Sequence, residues 1–149
     1  MTHTLAPPST DHDWRAFHEI RETVLWTARG KIGYDRRHVD DFEVPANQPL
    51  LLKDDARPVG VVRLDDFGDG TGAVRLVAVV SDVQGSGHGR ALSNLWDARA
   101  RDKGFHTLYV NAAPDAVGFY EKMGWERFVW DEAELLGIAS DCIQMRKGL

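Results

Sequence analysis

The sequence of 149 residues contains a single cysteine, Cys142. One cysteine excludes an internal disulfide and any zinc site built from a cysteine cluster. No apolar run approaches the roughly 20 residues that span a bilayer, which argues against a membrane partner. Residues 1–13 lack a basic stretch followed by an apolar one, so we predict no signal peptide and a cytoplasmic location.

The sequence also has no excess of positive charge. Lys and Arg number 18 against 23 Asp and Glu, which gives a formal net charge of −5. A protein that coats nucleic acid is usually basic, so this balance argues against a nucleic-acid partner. The apolar content of 43% and the charged content of 28% are ordinary for a globular protein. Length and composition therefore predict one domain over residues 1–149.

Hydrophobic periodicity predicts a helix in the first part of the chain and strands in the middle. After a turn-rich lead-in at 5–10, Thr10 followed by Asp13 forms a capping-box pattern, and apolar residues recur at helical spacing to about Trp26. From residue 27 to 49 the apolar residues follow no regular period, and the segment is long enough for one short helix. Three apolar, β-branched segments are predicted as strands: 49–53, 58–65 and 73–80.

A glycine-rich stretch separates these strands from the second half of the chain. After it, the pattern predicts a helix over 90–103, a strand over 106–110, a helix from Pro114 to about Gly124, and strands over 125–130 and 141–146. The order of strand, glycine loop, helix and strand is typical of a right-handed βαβ unit with parallel strands.

The glycine loop has the chemistry of an anion site. Gly85, Gly87 and Gly89 alternate at a strand-to-helix junction, and Arg90 adds a positive charge. Glycine lets backbone N–H groups approach a ligand, and the first turn of a helix has unpaired donors. The dinucleotide and Walker fingerprints both fail, which excludes the common nucleotide binders. A tight turn whose glycines only permit packing remains the alternative.

Two patterns give the chain a resemblance to a known family. The spacing Gln84-x-x-Gly87-x-Gly89 resembles the coenzyme A pyrophosphate loop of the GNAT family of N-acetyltransferases. The run FYEKMGW, residues 119–125, is similar to the end of that family's fourth helix. The resemblance covers roughly residues 72–128. It implies an α+β fold with three layers, α/β/α, in which a mixed, mostly antiparallel sheet contains one parallel βαβ crossover.

The resemblance implies that an amine attacks the thioester of acetyl-CoA directly, with acetyl-CoA as the co-substrate. The backbone N–H of Val79 then donates to the thioester carbonyl, and Tyr120 is the general acid that protonates the leaving thiolate. The alternative for Tyr120 is a core aromatic residue. The implied coenzyme-binding residues are Val77, Ala78, Val79, Gln84, Gly85, Ser86, Gly87, His88, Gly89, Arg90, Asn111, Phe119 and Tyr120.

The sequence departs from the family at the expected general base. Arg75 stands where many members carry a glutamate, which leaves the base open between Asp65, Asp66, Glu126 and a chain of water molecules. Within the loop, His88 replaces an aliphatic or basic residue, and we expect its side chain to be exposed. Asn111 either reaches the pantetheine arm or forms a turn after its strand.

The acceptor is predicted to be the primary amine of a small molecule, although a protein acceptor would give much the same sequence. Residues 34–38 form either part of the acceptor pocket or a solvated charge run. The six histidines show neither HxxxH nor HExxH spacing, so we predict no metal site. The sequence leaves open whether the protein forms a homodimer. The alternative function is a coenzyme A-binding sensor or interaction module without turnover, which the missing glutamate favours.

Overall fold

The computed structural model describes residues 2–80 and 87–149, and the strands found there form one seven-stranded sheet. The strands are β1 (His3–Ala6), β2 (Asn47–Asp54), β3 (Arg57–Asp66), β4 (Thr71–Val79), β5 (Thr107–Ala112), β6 (Glu126–Arg127) and β7 (Ile143–Gly148). Their order in the sheet is β1-β2-β3-β4-β5-β7-β6. Only β4 and β5 are parallel neighbours, so the mixed, mostly antiparallel sheet predicted from the sequence is confirmed.

Four α-helices lie in the described part of the chain: α1 (Asp11–Arg21), α2 (Val39–Phe42), α3 (His88–Asp102) and α4 (Val117–Lys122). Helix α3 connects the parallel strands β4 and β5, as the βαβ order predicts. Among residues 2–80 and 87–149, no helix is both long enough and apolar enough to cross a membrane.

The helices cover the two faces of the sheet and create two apolar clusters. On one face, Phe17 and Ile20 of α1 pack against Ala78 of β4. On the other, Trp96 of α3 and Tyr120 of α4 belong to the larger cluster. Side chains of successive strand residues point to opposite faces, which is why one sheet can supply both clusters. The three-layer arrangement follows from this.

Helix α1 begins as the capping pattern predicts, because the Thr10 side chain accepts a hydrogen bond of 3.0 Å from the Asp13 backbone N–H. The carboxylate of Asp13 accepts from the backbone N–H of Ser9 and pairs with Lys53 Nζ at 2.8 Å. After Arg21 the chain continues as one π-helical turn, Glu22–Trp26. The helix predicted to about Trp26 is therefore an α-helix followed by a π-helical turn.

Two predictions at the edges of the sheet were wrong. Residues 5–10 are predicted as a turn-rich lead-in, but residues 5 and 6 belong to β1, which pairs antiparallel with β2. Four residues are too few to show a strand period, so only the pairing partner reveals it. Conversely, the strand predicted over 125–130 contains only the two-residue β6. The Phe128 N–H still donates to the Gln144 carbonyl, but the N–H groups of Trp130 and Asp131 donate to the Gln144 side chain, so the backbone leaves the ladder after Phe128 and continues into short 3₁₀ segments.

Strand β4 carries an irregularity that shapes the rest of the molecule. Its register with β3 shifts between the pairs Val61–Ala78 and Arg63–Arg75, so two residues of β4 oppose one residue of β3. This is a β-bulge, which bends and twists a strand. Leu76 within it has a φ of +52°, a conformation that residues other than glycine rarely adopt. The ladder between β4 and β5 ends at the pair Val74–Val110.

The buried Asp13 predicts a pH-dependent contribution to stability. The hydrogen bond from Lys53, followed by that from the Ser9 N–H, lowers the pKa of Asp13 from 3.8 to about 2. A carboxylate whose pKa is lower in the folded protein stabilises it above pH 3.8, and this contribution is lost as the pH falls toward 2. Asp13→Asn keeps an oxygen for the Ser9 N–H but loses the charge that pairs with the partly exposed Lys53, so it should cost up to about 1 kcal/mol at neutral pH.

The measurement is chemical denaturation of parent and variant from neutral to acidic pH. The difference in unfolding free energy should shrink steadily below pH 3.8. Asp11→Asn is the matched control, because Asp11 lies in the same first turn with an exposed side chain. A difference for Asp13→Asn that stays constant down to acidic pH would contradict the assignment of its stabilising charge.

Candidate active site

A cavity of about 750 Å³ opens where β4 and β5 separate. Its floor consists of β4 residues 74–77 together with Val110 and Asn111 of β5. Tyr120 of α4 lines it from one side. The segments that enclose the remaining sides come from residues 21–47 and 133–142. A space of this size is typical of small-molecule sites.

The predicted coenzyme-binding strand presents free backbone groups to the open side of the sheet. Val80 N–H donates to the Val59 carbonyl at 2.9 Å. This bond belongs to the pair Val59–Val80, so the next pair along the antiparallel ladder, Gly60–Val79, is not hydrogen-bonded. The N–H and C=O groups of Gly60 and Val79 therefore point away from each other. The N–H of Val79 therefore faces away from β3, on the side from which β5 has diverged. Ala78, by contrast, is buried against Phe17.

The start of α3 fits an anion. Gly87 precedes the helix with a φ of +78°, and the Ala91 N–H donates to its carbonyl, which begins the helical ladder. The three N–H groups before Ala91 belong to the first turn, where α-helices leave their donors unpaired. Arg90 is exposed beside them. Gln84, Gly85 and Ser86, the remaining predicted loop residues, lie outside the described residues.

Gly89 shows that this first turn is built for close approach. A Cβ placed on Gly89 would lie 3.1 Å from a ring carbon of Phe119, tighter than ordinary van der Waals contact. At Gly87 a Cβ would meet no atom of residues 2–80 or 87–149 within 4 Å. The helix start thus rests against Phe119 on one side and, among these residues, meets free space at Gly87. This shape suits the pyrophosphate of coenzyme A.

Tyr120 combines a buried ring with access to the cavity. Only 4% of the residue is exposed, and its ring packs against Trp96, Phe119 and Trp125. Burial, with a smaller contribution from the Cys142 thiol, raises the pKa of the Tyr120 hydroxyl above its ordinary value. The phenol therefore carries its proton at neutral pH, as a proton donor must.

Cys142 is half-buried and lines the same cavity. Burial, followed by the neighbouring Asp141 carboxylate, raises the pKa of its thiol. A protonated thiol is a poor nucleophile, so this cysteine does not have the activation that covalent catalysis requires.

A chain of six alternating charges lines the cavity, and the sequence analysis missed most of it. Arg21 Nη1 contacts Asp41 at 2.8 Å, and the other Asp41 oxygen lies 3.2 Å from Arg63 Nη1. Successive ion pairs link the six side chains in the order Arg21, Asp41, Arg63, Asp65, Arg75 and Glu134. Burial opposes ionisation of Asp41, but hydrogen bonds and charge from Arg21 and Arg63 outweigh it and lower its pKa.

Arg75 is the centre of the far half of this chain. Its Nε donates to Asp65 at 3.2 Å, and its two Nη atoms pair with the Glu134 carboxylate, one of them at 3.1 Å. Burial disfavours its charge, yet the hydrogen bonds and charge of Glu134, and then Asp65, raise the pKa of Arg75. The guanidinium is therefore a fixed cation at the position where a glutamate was expected.

Of the residues considered as a general base, only Asp65 lines the cavity. Its carboxylate is held by two bonds from Arg63, at 2.7 and 2.9 Å, in addition to the bond from Arg75. Asp66 accepts from the Gly68 N–H at the end of β3, and Glu126 is an exposed partner of Arg146. Neither of these two carboxylates lines the cavity.

Asn111 is positioned by hydrogen bonds rather than by a turn. Its amide donates to Glu134 at 3.2 Å, and its carbonyl oxygen accepts from Gln144 at 3.0 Å. The buried Gln144 in turn accepts from the Trp130 N–H. These bonds attach the segment that carries Glu134 to the ends of β5 and β7.

Signals for the missed residues existed in the sequence. Arg21 occupies the apolar face of α1, and Arg63 and Asp65 stand two apart in an otherwise apolar strand, so both point to one face. Charged residues in such places need partners. No sequence signal marks Asp41 or Glu134 as those partners.

Residues 34–38 contribute in part to the cavity. Tyr34, Asp35 and His38 line it, whereas Arg36 pairs with Glu22 at 3.4 Å on the exposed surface. The expectation for His88 was wrong. Its side chain is 3% exposed and bonds to His3 at 2.8 Å, because β1, which the sequence did not reveal, lies against the start of α3.

A sequence model of the acetyltransferase (GNAT) domain matches residues 34–149. The chain belongs to the GNAT family of acetyltransferases. An uncharacterized N-acetyltransferase of Bacillus subtilis, YjcF, is 28% identical over 109 residues, which cover 73% of this chain and 75% of the relative.

Solved GNAT structures share the fold. An aminoglycoside 6'-N-acetyltransferase complexed with coenzyme A superposes with a TM-score of 0.77 at 14% identity, over 99% of this chain and 97% of that one. The PaiA N-acetyltransferase of Thermoplasma acidophilum, in complex with coenzyme A, gives 0.73 at 16% identity over the full length of both chains.

The open side of Gly87 predicts where coenzyme A binds. In Gly87→Val the side chain would occupy the free space and strain a positive φ, which displaces the N–H groups of the first turn. We expect at least a roughly tenfold loss of acetyl-CoA affinity, or about 1.4 kcal/mol, by calorimetry.

Gly104→Val is the matched control. Gly104 ends the same helix with a φ of +86°, and a Cβ there would also meet no atom within 4 Å. Both substitutions should cost about 1–2 kcal/mol of stability through strain at positive φ. Only Gly87→Val should weaken coenzyme binding. Equal affinities of the two variants would place the pyrophosphate elsewhere.

Proposed function

We propose that the chain is a single-domain, acetyl-CoA-dependent N-acetyltransferase that moves an acetyl group to the primary amine of a small molecule. The observation that carries the proposal is the placement of Tyr120, a protonated phenol lining the cavity at the point where β4 and β5 separate. Membership of the GNAT family supports acetyl transfer in general.

In this proposal acetyl-CoA lies across the gap between the two parallel strands. Its pyrophosphate accepts from the first-turn N–H groups of α3, with Arg90 adding charge, and the predicted residues Gln84, Gly85 and Ser86 complete the loop. The pantetheine arm runs along β4 past Val77 and Val79. The outward direction of the Val79 N–H and the end of the β4–β5 ladder at Val74 support this path.

The reaction follows as direct transfer. The acceptor nitrogen attacks the thioester carbonyl carbon, and negative charge develops on the carbonyl oxygen, where the Val79 N–H is the proposed donor. The carbon–sulfur bond then breaks, and the leaving thiolate takes the proton of the Tyr120 hydroxyl. The Tyr120 phenol is protonated at neutral pH and lines the cavity, so it has a proton to donate there.

Water is the proposed acceptor of the amine proton. Asp65 and Glu134, the carboxylates that flank Arg75, are both held by arginine guanidinium groups. Both oxygens of each carboxylate accept from these guanidinium groups, so neither carboxylate presents a free oxygen to an acceptor amine. Water in the cavity, leading to solvent, is the remaining route of those considered from the sequence.

Two features bear on the acceptor and on the alternative function. The cavity volume of about 750 Å³ supports a small molecule, because it must also admit the acetyl end of the coenzyme. Arg75 in place of a glutamate supports the alternative, a coenzyme A-binding module without turnover. A panel assay of thiol release with amino acids, polyamines, aminoglycosides and peptides separates the two.

Tyr120→Phe tests the general acid on the best acceptor in that panel. The ring and its packing remain, and only the proton donor is removed. We expect kcat to fall by roughly 10² to 10⁴-fold, the usual range for lost acid catalysis, with acetyl-CoA affinity close to that of the parent.

Tyr109→Phe is the matched control, because Tyr109 stacks on Phe67 and Trp130 and does not line the cavity. Its kcat should equal that of the parent. Equal kcat for Tyr120→Phe and the parent would show that Tyr120 is structural. A parent that turns over no acceptor but binds the coenzyme would favour the binding module.

Arg90→Ala tests the electrostatic part of coenzyme binding. The coenzyme is anionic and the protein has a net charge of −5, so local cations must attract it within the screening length of about 8 Å. The acetyl-CoA affinity of the parent should fall as salt is added, and that of Arg90→Ala should fall less steeply. Arg101→Ala, exposed at the other end of α3, should keep the parent's slope. Identical slopes in all three proteins would remove Arg90 from the site.

A further inference from the structure

We propose that His3, Asp54 and His88 form a binding site for a first-row transition metal ion, with Zn²⁺ the best match. One nitrogen of each imidazole and one oxygen of the carboxylate all lie within 4.8 Å of one another. The proposal does not rest on the proposed function, because its test measures metal binding and needs no turnover.

Three separate elements bring these side chains together. His3 and Asp54 are direct partners across the antiparallel pair of β1 and β2, so their side chains lie next to each other on the same face. His88 is the first residue of α3, which packs against β1. His3 Nε2 lies 2.8 Å from His88 Nδ1, and the two rings meet edge to face.

Unsatisfied polar atoms point to a ligand at this cluster. In the described part of the chain, His88 Nε2 and Asp54 Oδ1 are both buried without a hydrogen-bond partner, and His88 as a whole is 3% exposed. Buried polar groups are nearly always paired, and these are two of the seven unpaired buried side-chain atoms among the described residues. A cation between the imidazoles and the carboxylate would replace the His3–His88 hydrogen bond, neutralise the negative charge of Asp54 and give Asp54 Oδ1 a partner.

The ligand chemistry selects the ion. Two imidazoles and one carboxylate are a ligand set that Zn²⁺ uses in proteins, with a fourth position left for water. Mg²⁺ and Ca²⁺ prefer oxygen ligands, which makes them poor matches. The ligands are far apart in sequence, so neither HxxxH nor HExxH spacing marks them.

The position of the site gives the ion a structural task. It joins the edge strand β1 to the first residue of α3, the helix whose first turn is the proposed pyrophosphate site. The ion would thus hold the start of that helix against the sheet. It lies outside the cavity that Tyr120 lines, because His3, Asp54 and His88 are not among the residues of the cavity wall. The ion therefore takes no part in acetyl transfer.

The experiment titrates chelator-treated full-length protein with Zn²⁺ by calorimetry and with Co²⁺ by visible absorption. We expect one ion per chain, absorption bands of a tetrahedral or five-coordinate Co²⁺ site, and a Tm that rises with the concentration of free Zn²⁺, as linkage requires. Absence of saturable binding of both ions would overturn the proposal.

Variants locate the ion. His3→Ala and Asp54→Asn should each weaken Zn²⁺ binding at least about tenfold, since even an outer-shell partner is typically worth that much. His12→Ala is the matched control, because His12 is exposed on α1 and belongs to no ligand cluster in the described residues. Parent-like affinity in His3→Ala, or equal weakening in His12→Ala, would contradict the site. Loss of stability in His3→Ala without metal binding by the parent would reduce the cluster to a hydrogen-bonded pair.

Discussion

Beyond Val74, strand β4 carries one residue more than β3 can match, and it turns away from β5. Leu76 adopts a positive φ to make this bulge, which costs backbone energy that the surrounding ladder must supply. Among the described residues, the gap leaves the end of β4 without a sheet partner on one side, and the cavity opens below it. Without the bulge, β4 and β5 would continue as neighbours and the cavity between them would close.

The chain of alternating charges holds the opened region in shape. Its six members come from α1, α2, β3, β4 and the segment after β6. A buried ion pair repays its desolvation only when each charge is fully partnered, and removal of one partner typically costs about 3–5 kcal/mol. The alternation meets this condition, because every interior member has an opposite charge on each side. In the same pairing, both oxygens of Asp65 and both oxygens of Glu134 accept from arginine side chains, so the contacts that stabilise the wall also occupy its carboxylates.

The start of α3 is constrained from two directions. Phe119 of α4 packs against Gly89, and His3 of β1 contacts the preceding residue, His88. These contacts fix the orientation of the first-turn N–H groups before any ligand binds, which reduces the entropy that an anion must offset on binding. The proposed metal ion would add a third constraint at the same place.

The sequence by itself determined the mixed sheet, the βαβ crossover and the family, because hydrophobic periodicity and the two motifs are local in the chain. It also placed Tyr120 and Gly87 on the right elements. Their assigned roles stay predictions. It did not show β1, since four residues at a sheet edge have no distinctive period, and it therefore placed His88 in solvent.

Only the tertiary structure decided which charges meet. The sequence shows Arg75 in place of a glutamate, but its partner Glu134 lies 59 residues away in an irregular segment, and Asp41 reaches Arg63 from a separate short helix. His3, Asp54 and His88 are likewise distant in the sequence and meet only in the folded protein. Partners of this kind depend on strand register and on how loops close over the sheet, and these are set by packing of the whole chain rather than by any local pattern.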